Sequence, residues 1–167
     1  CRIVNTLGSI DGSLRPDVAR NLLAWGSAVE LAAQGGSADC LHPKQSEGLQ
    51  PVAIAANVTA VGRQASGNGN IVAYPAGGSD PGASLVNFTT AANIANATVI
   101  KLCDPTGCPA EGDFALEANF ATVPAIVDVQ GYFYPKELHH VVTVSAAGGD
   151  FTGPLQAMAA LAQLVAD

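Results

Sequence analysis

The stretch Pro51–Val61, PVAIAANVTAV, carries the clearest structural signal in this chain of 167 residues. Consecutive side chains of a β-strand point to opposite faces of the sheet, so every second residue lies on the same face. One set of alternate positions in this stretch is wholly apolar: Val52, Ile54, Ala56, Val58 and Ala60. The alternation predicts a strand that buries most of one face.

Downstream of this strand lies a turn signal, Ser66–Asn70, which contains the step Asn68-Gly69. Asn-Gly favours the tight turns that connect two antiparallel neighbours. We therefore expect a hairpin at this point, with Ile71–Tyr74 pairing back on the strand that precedes it.

Short apolar segments separated by Gly- and Pro-containing loops continue along the chain and indicate seven or eight strands. Half of the residues (49%) are apolar but only 5% are aromatic, which suits the thin core between two stacked sheets. The expected fold is mainly β, an antiparallel β-sandwich or a jelly-roll-like sheet pair. The further strands expected are Cys1–Val4, Ser84–Thr89, Ile94–Leu102, Phe114–Ala118 and Ala125–Tyr134.

Two helices interrupt this pattern. Ala28–Gln34 reads as a short helix in the N-terminal half, and the Gly35-Gly36 pair ends it. A C-terminal helix is expected over Leu155–Val165, where apolar residues occupy most of the circumference and therefore need cover on several sides. Its apolar residues are the candidates for an assembly contact: Leu155, Met158, Leu161 and Leu164.

The chain is expected to divide into two parts. Residues 1–134 form the β-sandwich domain, and residues 135–167 form a linker, a short strand over His140–Val144 and the apolar helix. This second part is expected to cap a following domain or to form an intersubunit contact.

Charge is sparse, at 13% of residues, and the net charge is −7. Nucleic-acid binding requires a concentration of Lys and Arg that neutralises phosphates, and seven such residues spread along the chain do not supply it. No run of apolar residues is long enough to cross a bilayer. We therefore expect neither nucleic-acid binding nor membrane insertion.

The four cysteines allow three pairings. Cys103 and Cys108 enclose a Pro- and Gly-containing turn that brings the two residues together, and this leaves Cys1 for Cys40. The competing interpretation, a zinc site, lacks the paired short spacings that zinc ligands show. We expect two disulfides and no metal or other cofactor, which favours a secreted or cell-surface location.

Catalytic patterns are weak throughout. The chain contains no Gly-x-Ser-x-Gly element, and its cysteines are assigned to bridges. Glu117 and Asp128 lie on predicted strands and form the one imaginable carboxylate pair for glycoside hydrolysis. The preferred interpretation of Asp128 is a buried carboxylate that bonds backbone amides. We expect no enzymatic activity.

The sequence contains candidate residues for two further kinds of ligand site, a calcium site and a sugar-binding site. Loop carboxylates at Asp80, Asp104 and Asp113 offer hard oxygen ligands for calcium, but they lack the spacing of a known calcium loop. Trp25 and Tyr74 are candidates for stacking on a sugar, although rings in a chain with so few aromatics more often pack in the core.

Several motifs in order along the chain resemble a β-rich domain of large secreted bacterial proteins. They include Cys1-Arg2-Ile3-Val4-Asn5-Thr6, Ala32–Gly36 and Ile126–Phe133. In that family the opening motif carries Asp and Arg where this chain has Asn5 and Leu7. The resemblance covers residues 1–134 and implies a non-catalytic extracellular module, often one unit of a longer precursor.

The segment from Val142 to Ala157 is similar to the N-terminal cap of pectinesterase-like parallel β-helices, which implies a following domain. Together these features predict a structural or surface module that adheres or assembles with itself or with another extracellular protein. The alternative is a carbohydrate-binding module attached to a polysaccharide-acting β-helix.

Overall fold

The alternation over Pro51–Val61 forms a central strand in the computed structural model, which describes residues 1–40, 49–104, 107–109 and 112–135. Cys1–Pro135 and Lys136–Asp167 are separate compact units, and the described residues all lie in the first. These residues form eight strands and one α-helix, α1, over Ala28–Ala33. The strands are β1 Arg2–Asn5, β2 Arg20–Leu22, β3 Ala53–Ala60, β4 Gly69–Pro75, β5 Val86–Phe88, β6 Ile94–Lys101, β7 Phe114–Asn119 and β8 Ala125–Phe133.

The strands form two antiparallel four-stranded sheets, with the orders β1-β8-β3-β6 and β2-β7-β4-β5. The mainly β sandwich predicted from the sequence is therefore confirmed. Four of the hydrogen-bonded pairs are nested along the chain: β1 with β8, β2 with β7, β3 with β6 and β4 with β5. This nesting is the order obtained when one long hairpin rolls up into two sheets, as in a jelly roll.

The core lies between the sheets and consists mainly of aliphatic side chains. In β3 the residues Ile54, Ala56, Val58 and Ala60 are buried, whereas the alternate residues are partly exposed. Phe88 and Phe114 are the two largest fully buried side chains among the described residues. A core of this composition fills the narrow space between two sheets without large rings.

The hairpin predicted at Asn68-Gly69 is wrong. β3 pairs with β6 and β8, whereas β4 pairs with β5 and β7 in the other sheet. A 3-10 turn over Gly62–Gln64 begins the crossing from one sheet to the other. Gly69 is the first residue of β4, and an added Cβ there would overlap the carbonyl oxygen of Asn119. The glycine is needed for close packing within the sheet.

The helix predicted over Ala28–Gln34 is confirmed, with α1 ending one residue earlier. Ser27 and Glu30 form a capping box: the Ser27 N–H donates to the Glu30 carboxylate at 2.8 Å, and the Glu30 N–H donates to Ser27 Oγ at 3.3 Å. At the other end Gly35 adopts a positive φ of 76°, which glycine takes without steric strain. The predicted C-terminal helix and the His140–Val144 strand lie outside the described residues.

Residues after α1 cover the outer edge of β1. The Asn5 N–H donates to the Gln34 carbonyl at 3.0 Å, and the Ser37 N–H donates to the Arg2 carbonyl at 2.9 Å. The Gln34 side-chain amide adds a bond to the Ile3 carbonyl at 2.8 Å. An added Cβ at Gly35 or Gly36 would overlap carbonyl oxygens of β1. The two glycines therefore allow the backbone after α1 to lie close to β1, and the Gln34 side chain bonds to the same strand.

Candidate interaction surface

The four cysteines form the two predicted bridges. Cys1 bonds to Cys40 and Cys103 bonds to Cys108, with Cα–Cα distances of 5.6 and 5.3 Å. No cysteine is free. Among the described residues one group of possible metal ligands converges, namely Cys103, Cys108 and Asp113. Its two sulfurs are bonded to each other, so they do not act as thiolate ligands.

The possible glycosidase pair does not form. Asp128 lies on β8 between the buried residues Val127 and Val129, so it points away from the core on the first sheet. Glu117 lies on β7 between the buried residues Leu116 and Ala118, and it points away from the core on the second sheet. The two carboxylates therefore lie on opposite outer faces of the sandwich, where they cannot act on one glycosidic bond.

The expectation that Asp128 is a buried carboxylate bonded to backbone amides is wrong. Its side chain is 33% exposed and forms an ion pair with Arg2 across the paired strands β1 and β8. Arg2 Nε and Nη2 donate to the two carboxylate oxygens at 2.9 and 3.2 Å. This bond raises the pKa of the Arg2 guanidinium. The pair joins the opening and closing sequence motifs at the surface.

The loop carboxylates weighed as calcium ligands do not converge into one site. Asp80 accepts a hydrogen bond from the Gly82 N–H at 2.7 Å within its own loop. Asp113 accepts from the Ala24 N–H at 2.8 Å and so joins the chain after β2 to the start of β7. Burial raises the pKa of the Asp113 carboxyl despite its backbone hydrogen bonds. Asp113 therefore serves as a link between backbone segments.

The two aromatic residues predicted as candidates for sugar stacking differ in their exposure. Tyr74 is 7% exposed, and its hydroxyl donates to the Glu117 carboxylate at 2.6 Å. Burial and this carboxylate raise the pKa of the Tyr74 hydroxyl. Trp25 is partly buried against the core. Stacking on a sugar requires an accessible ring face. The burial of Tyr74 therefore argues against its role as a sugar-stacking platform.

Among the described residues, two exposed phenylalanines were not predicted from the sequence. Phe120, directly after β7, is 79% exposed and has a positive φ of 76°. Phe133, at the end of β8, is 48% exposed. No local pattern separates these rings from the buried Phe88 and Phe114, because their exposure depends on where the neighbouring strands end.

On the outer face of the first sheet, β3 and β6 present a surface of small, mostly apolar side chains, which we call the alanine face. The register places Ala53 opposite Lys101, Ala55 opposite Val99, Asn57 opposite Ala97 and Thr59 opposite Ala95. Val99 is 60% exposed, and Phe133 pairs with Ala53 at one end of the face. On β3 and β6 the one charged side chain is Lys101, at the end of β6, and the Arg2–Asp128 pair lies beside them, with Asp128 of β8 opposite Asn57 of β3.

This composition makes the alanine face a candidate for protein contact. Side chains as short as alanine leave a sheet nearly flat, and apolar groups left in water favour association when a second apolar surface covers them. The separately predicted assembly residues, Leu155, Met158, Leu161 and Leu164, lie outside the described part of the chain.

No family model matches the chain, and no curated protein or solved structure shows significant similarity to it. The resemblance to secreted bacterial β domains therefore stays a prediction. Within the described residues, no helix is both long and apolar enough to cross a membrane.

Proposed function

We propose that this chain is a non-catalytic extracellular structural module that contacts other proteins through the alanine face. The observation that carries the proposal is the composition of that face, where Ala53, Ala55, Ala95, Ala97 and Val99 lie beside the uncharged Asn57 and Thr59, and Lys101 is the one charged side chain on the two strands. The fold alone does not decide the function, since jelly rolls serve both capsid assembly and sugar binding.

Two further observations support this proposal. The carboxylates Glu117 and Asp128, weighed for hydrolysis, lie on opposite sides of the sandwich, and Asp80 and Asp113 are engaged in separate backbone contacts. The two disulfides support an extracellular location, because such bridges persist in oxidising compartments.

The proposal is tested by placing one charge on the alanine face. Ala55→Glu puts a carboxylate in the middle of the face, and Ala83→Glu adds the same charge at an exposed loop position. We expect the wild-type protein and Ala83→Glu to adsorb to a methyl-terminated surface more strongly than Ala55→Glu, measured by quartz-crystal microbalance. Equal adsorption of all three proteins contradicts the proposed role of the face.

A glycan array tests the carbohydrate-binding alternative in parallel. Dose-dependent binding that Trp25→Ala abolishes would replace the proposal with a sugar-binding function. Hydrolysis of any polysaccharide in the same panel would contradict the non-catalytic assignment.

A further inference from the structure

The two sheets have four edge strands, and three of these edges are protected against pairing with another chain. The edge of β1 is covered by residues Gln34–Ser37, which bond to its backbone. β2 and β5 are only three residues long. Short strands and covered edges are the ordinary means by which proteins prevent strand addition from outside.

The fourth edge, β6, has no backbone partner on its outer side among the described residues, although loop residues from Ser79 to Leu85 line a groove beside its second half. It is eight residues long and pairs with β3 from Ile94 to Lys101 without a shift in register. It contains no proline, and its one charged residue, Lys101, stands at its end. Bulges, prolines and charges in the middle of a strand are the features that discourage edge pairing, and β6 has none of them.

The hydrogen-bond pattern shows which backbone groups of β6 are open. The Leu102 N–H donates to the Val52 carbonyl at 2.9 Å, which fixes the phase of the ladder between β6 and β3. In an antiparallel ladder the residues bonded to a given neighbour alternate along the strand. The N–H and C=O groups of Ala95, Ala97, Val99 and Lys101 therefore point away from β3, and no other described residue bonds to them.

We propose that β6 pairs antiparallel with β6 of a second copy of this chain, around a twofold axis at Ala97, which joins the two first sheets into one eight-stranded sheet. This inference rests on the proposed function and names the partner. Such an interface closes on itself, because each copy contributes the same strand to one twofold contact. It also makes the two alanine faces continuous.

The side chains of β6 favour a second copy as the occupant. In this register Ala97 lies opposite itself and Val99 lies opposite Ala95 of the second copy, so small apolar side chains meet without a clash. The two Lys101 residues lie on opposite sides of the axis, about 27 Å apart at about 3.4 Å per residue. This distance is well beyond the screening length of about 8 Å at physiological salt. β6 also carries no carboxylate, so the net charge of −7 is not concentrated at this contact.

The test compares the full chain with two variants that carry the same added charge. Ala97→Glu places two carboxylates opposite each other across the axis, whereas Ala55→Glu places one on β3, one strand away from the contact. In sedimentation velocity we expect the wild type to shift from monomer to dimer as its concentration rises. Ala97→Glu should raise the dissociation constant of the dimer about tenfold or more, because like charges directly opposite each other repel. Ala55→Glu should leave it nearly unchanged.

A cysteine substitution gives a positive test of the register. Directly opposite residues in a hydrogen-bonded antiparallel pair have Cα atoms about 5.5 Å apart, which is within the range of a disulfide. Ala97→Cys should therefore form a covalent dimer on mild oxidation, whereas Ala19→Cys, at an exposed position before β2 of the other sheet, should not.

A protein that stays monomeric at every concentration overturns the inference, and so does a dimer that responds to Ala55→Glu as strongly as to Ala97→Glu. Neither outcome decides the proposed function, which depends on surface adsorption and on the glycan array.

Discussion

Gln34→Ala removes a side-chain amide that connects three parts of the first unit. Gln34 Nε2 donates to the Ile3 and Leu23 carbonyls at 2.8 Å each, and Oε1 accepts from the Leu23 N–H at 3.0 Å. A hydrogen bond of this kind contributes about 1 kcal/mol net, and a buried partner left unpaired costs about 1–3 kcal/mol. Because Gln34 is half-buried, we expect a loss of about 3 kcal/mol in the free energy of unfolding.

Urea denaturation measures this loss as a lower midpoint with an unchanged m-value. Gln64→Ala is a matched control, because Gln64 is exposed and should change the stability by less than about 0.5 kcal/mol. Gln34→Glu is a second, more specific variant. Its carboxylate can still accept the hydrogen bond from the Leu23 N–H, but it cannot donate to the Ile3 and Leu23 carbonyls. Its destabilisation should shrink at acid pH, where the carboxyl can donate one bond.

A loss below about 1 kcal/mol for Gln34→Ala would refute this account of the contact between α1 and β1. It would mean that water replaces the amide without penalty. An altered m-value would instead point to a change in the unfolded ensemble, and the hydrogen-bond reasoning could not be applied to the result.

Removing the Cys1–Cys40 bridge should cost about 4 kcal/mol, against about 2 kcal/mol for Cys103–Cys108, because the first closes a loop of 39 residues and the second a loop of five. Paired Cys→Ala variants in urea measure both, and equal losses would contradict the loop-entropy argument. Burial raises the pKa of the Asp113 carboxyl in the folded state above its value in the unfolded chain. The protonated carboxyl therefore contributes fully to the stability of the fold below the unfolded-state pKa, and this contribution is lost as the pH rises through the folded-state pKa. Asp113→Asn keeps an acceptor but cannot ionise, so its stability relative to the wild type should increase from about pH 3 to pH 7; a constant difference would show that Asp113 does not titrate in this range.

Part of the alanine face was predictable. The alternation over Pro51–Val61 established that β3 has one buried side, and the larger side chains Ile54 and Val58 are on it. The composition of the opposite side follows from the same periodicity. The identity of the neighbouring strands does not, because a period of two residues specifies a strand but not its partners.

The misassignments share one physical cause. The Asn68-Gly69 step and the carboxylate of Asp128 were interpreted from local preferences, but their environments are set by segments far away in the chain. Asp128 meets Arg2 because β1 and β8 are neighbours, and Tyr74 is buried beside Ala115 and Glu117 because β4 and β7 are neighbours in the second sheet. These contacts join residues that are tens of residues apart in sequence.

The sequence by itself predicted seven of the eight described strands, all but β2, together with the helix that Gly35-Gly36 ends and the pairing of the four cysteines. Each of these depends on periodicity, on the backbone freedom of glycine or on a short turn, which a few neighbouring residues specify. Only the tertiary structure decided that β3 and β4 lie in different sheets and that β6 is left at an open edge. Strand order depends on which apolar faces are buried together across the whole unit, and no short segment contains that information.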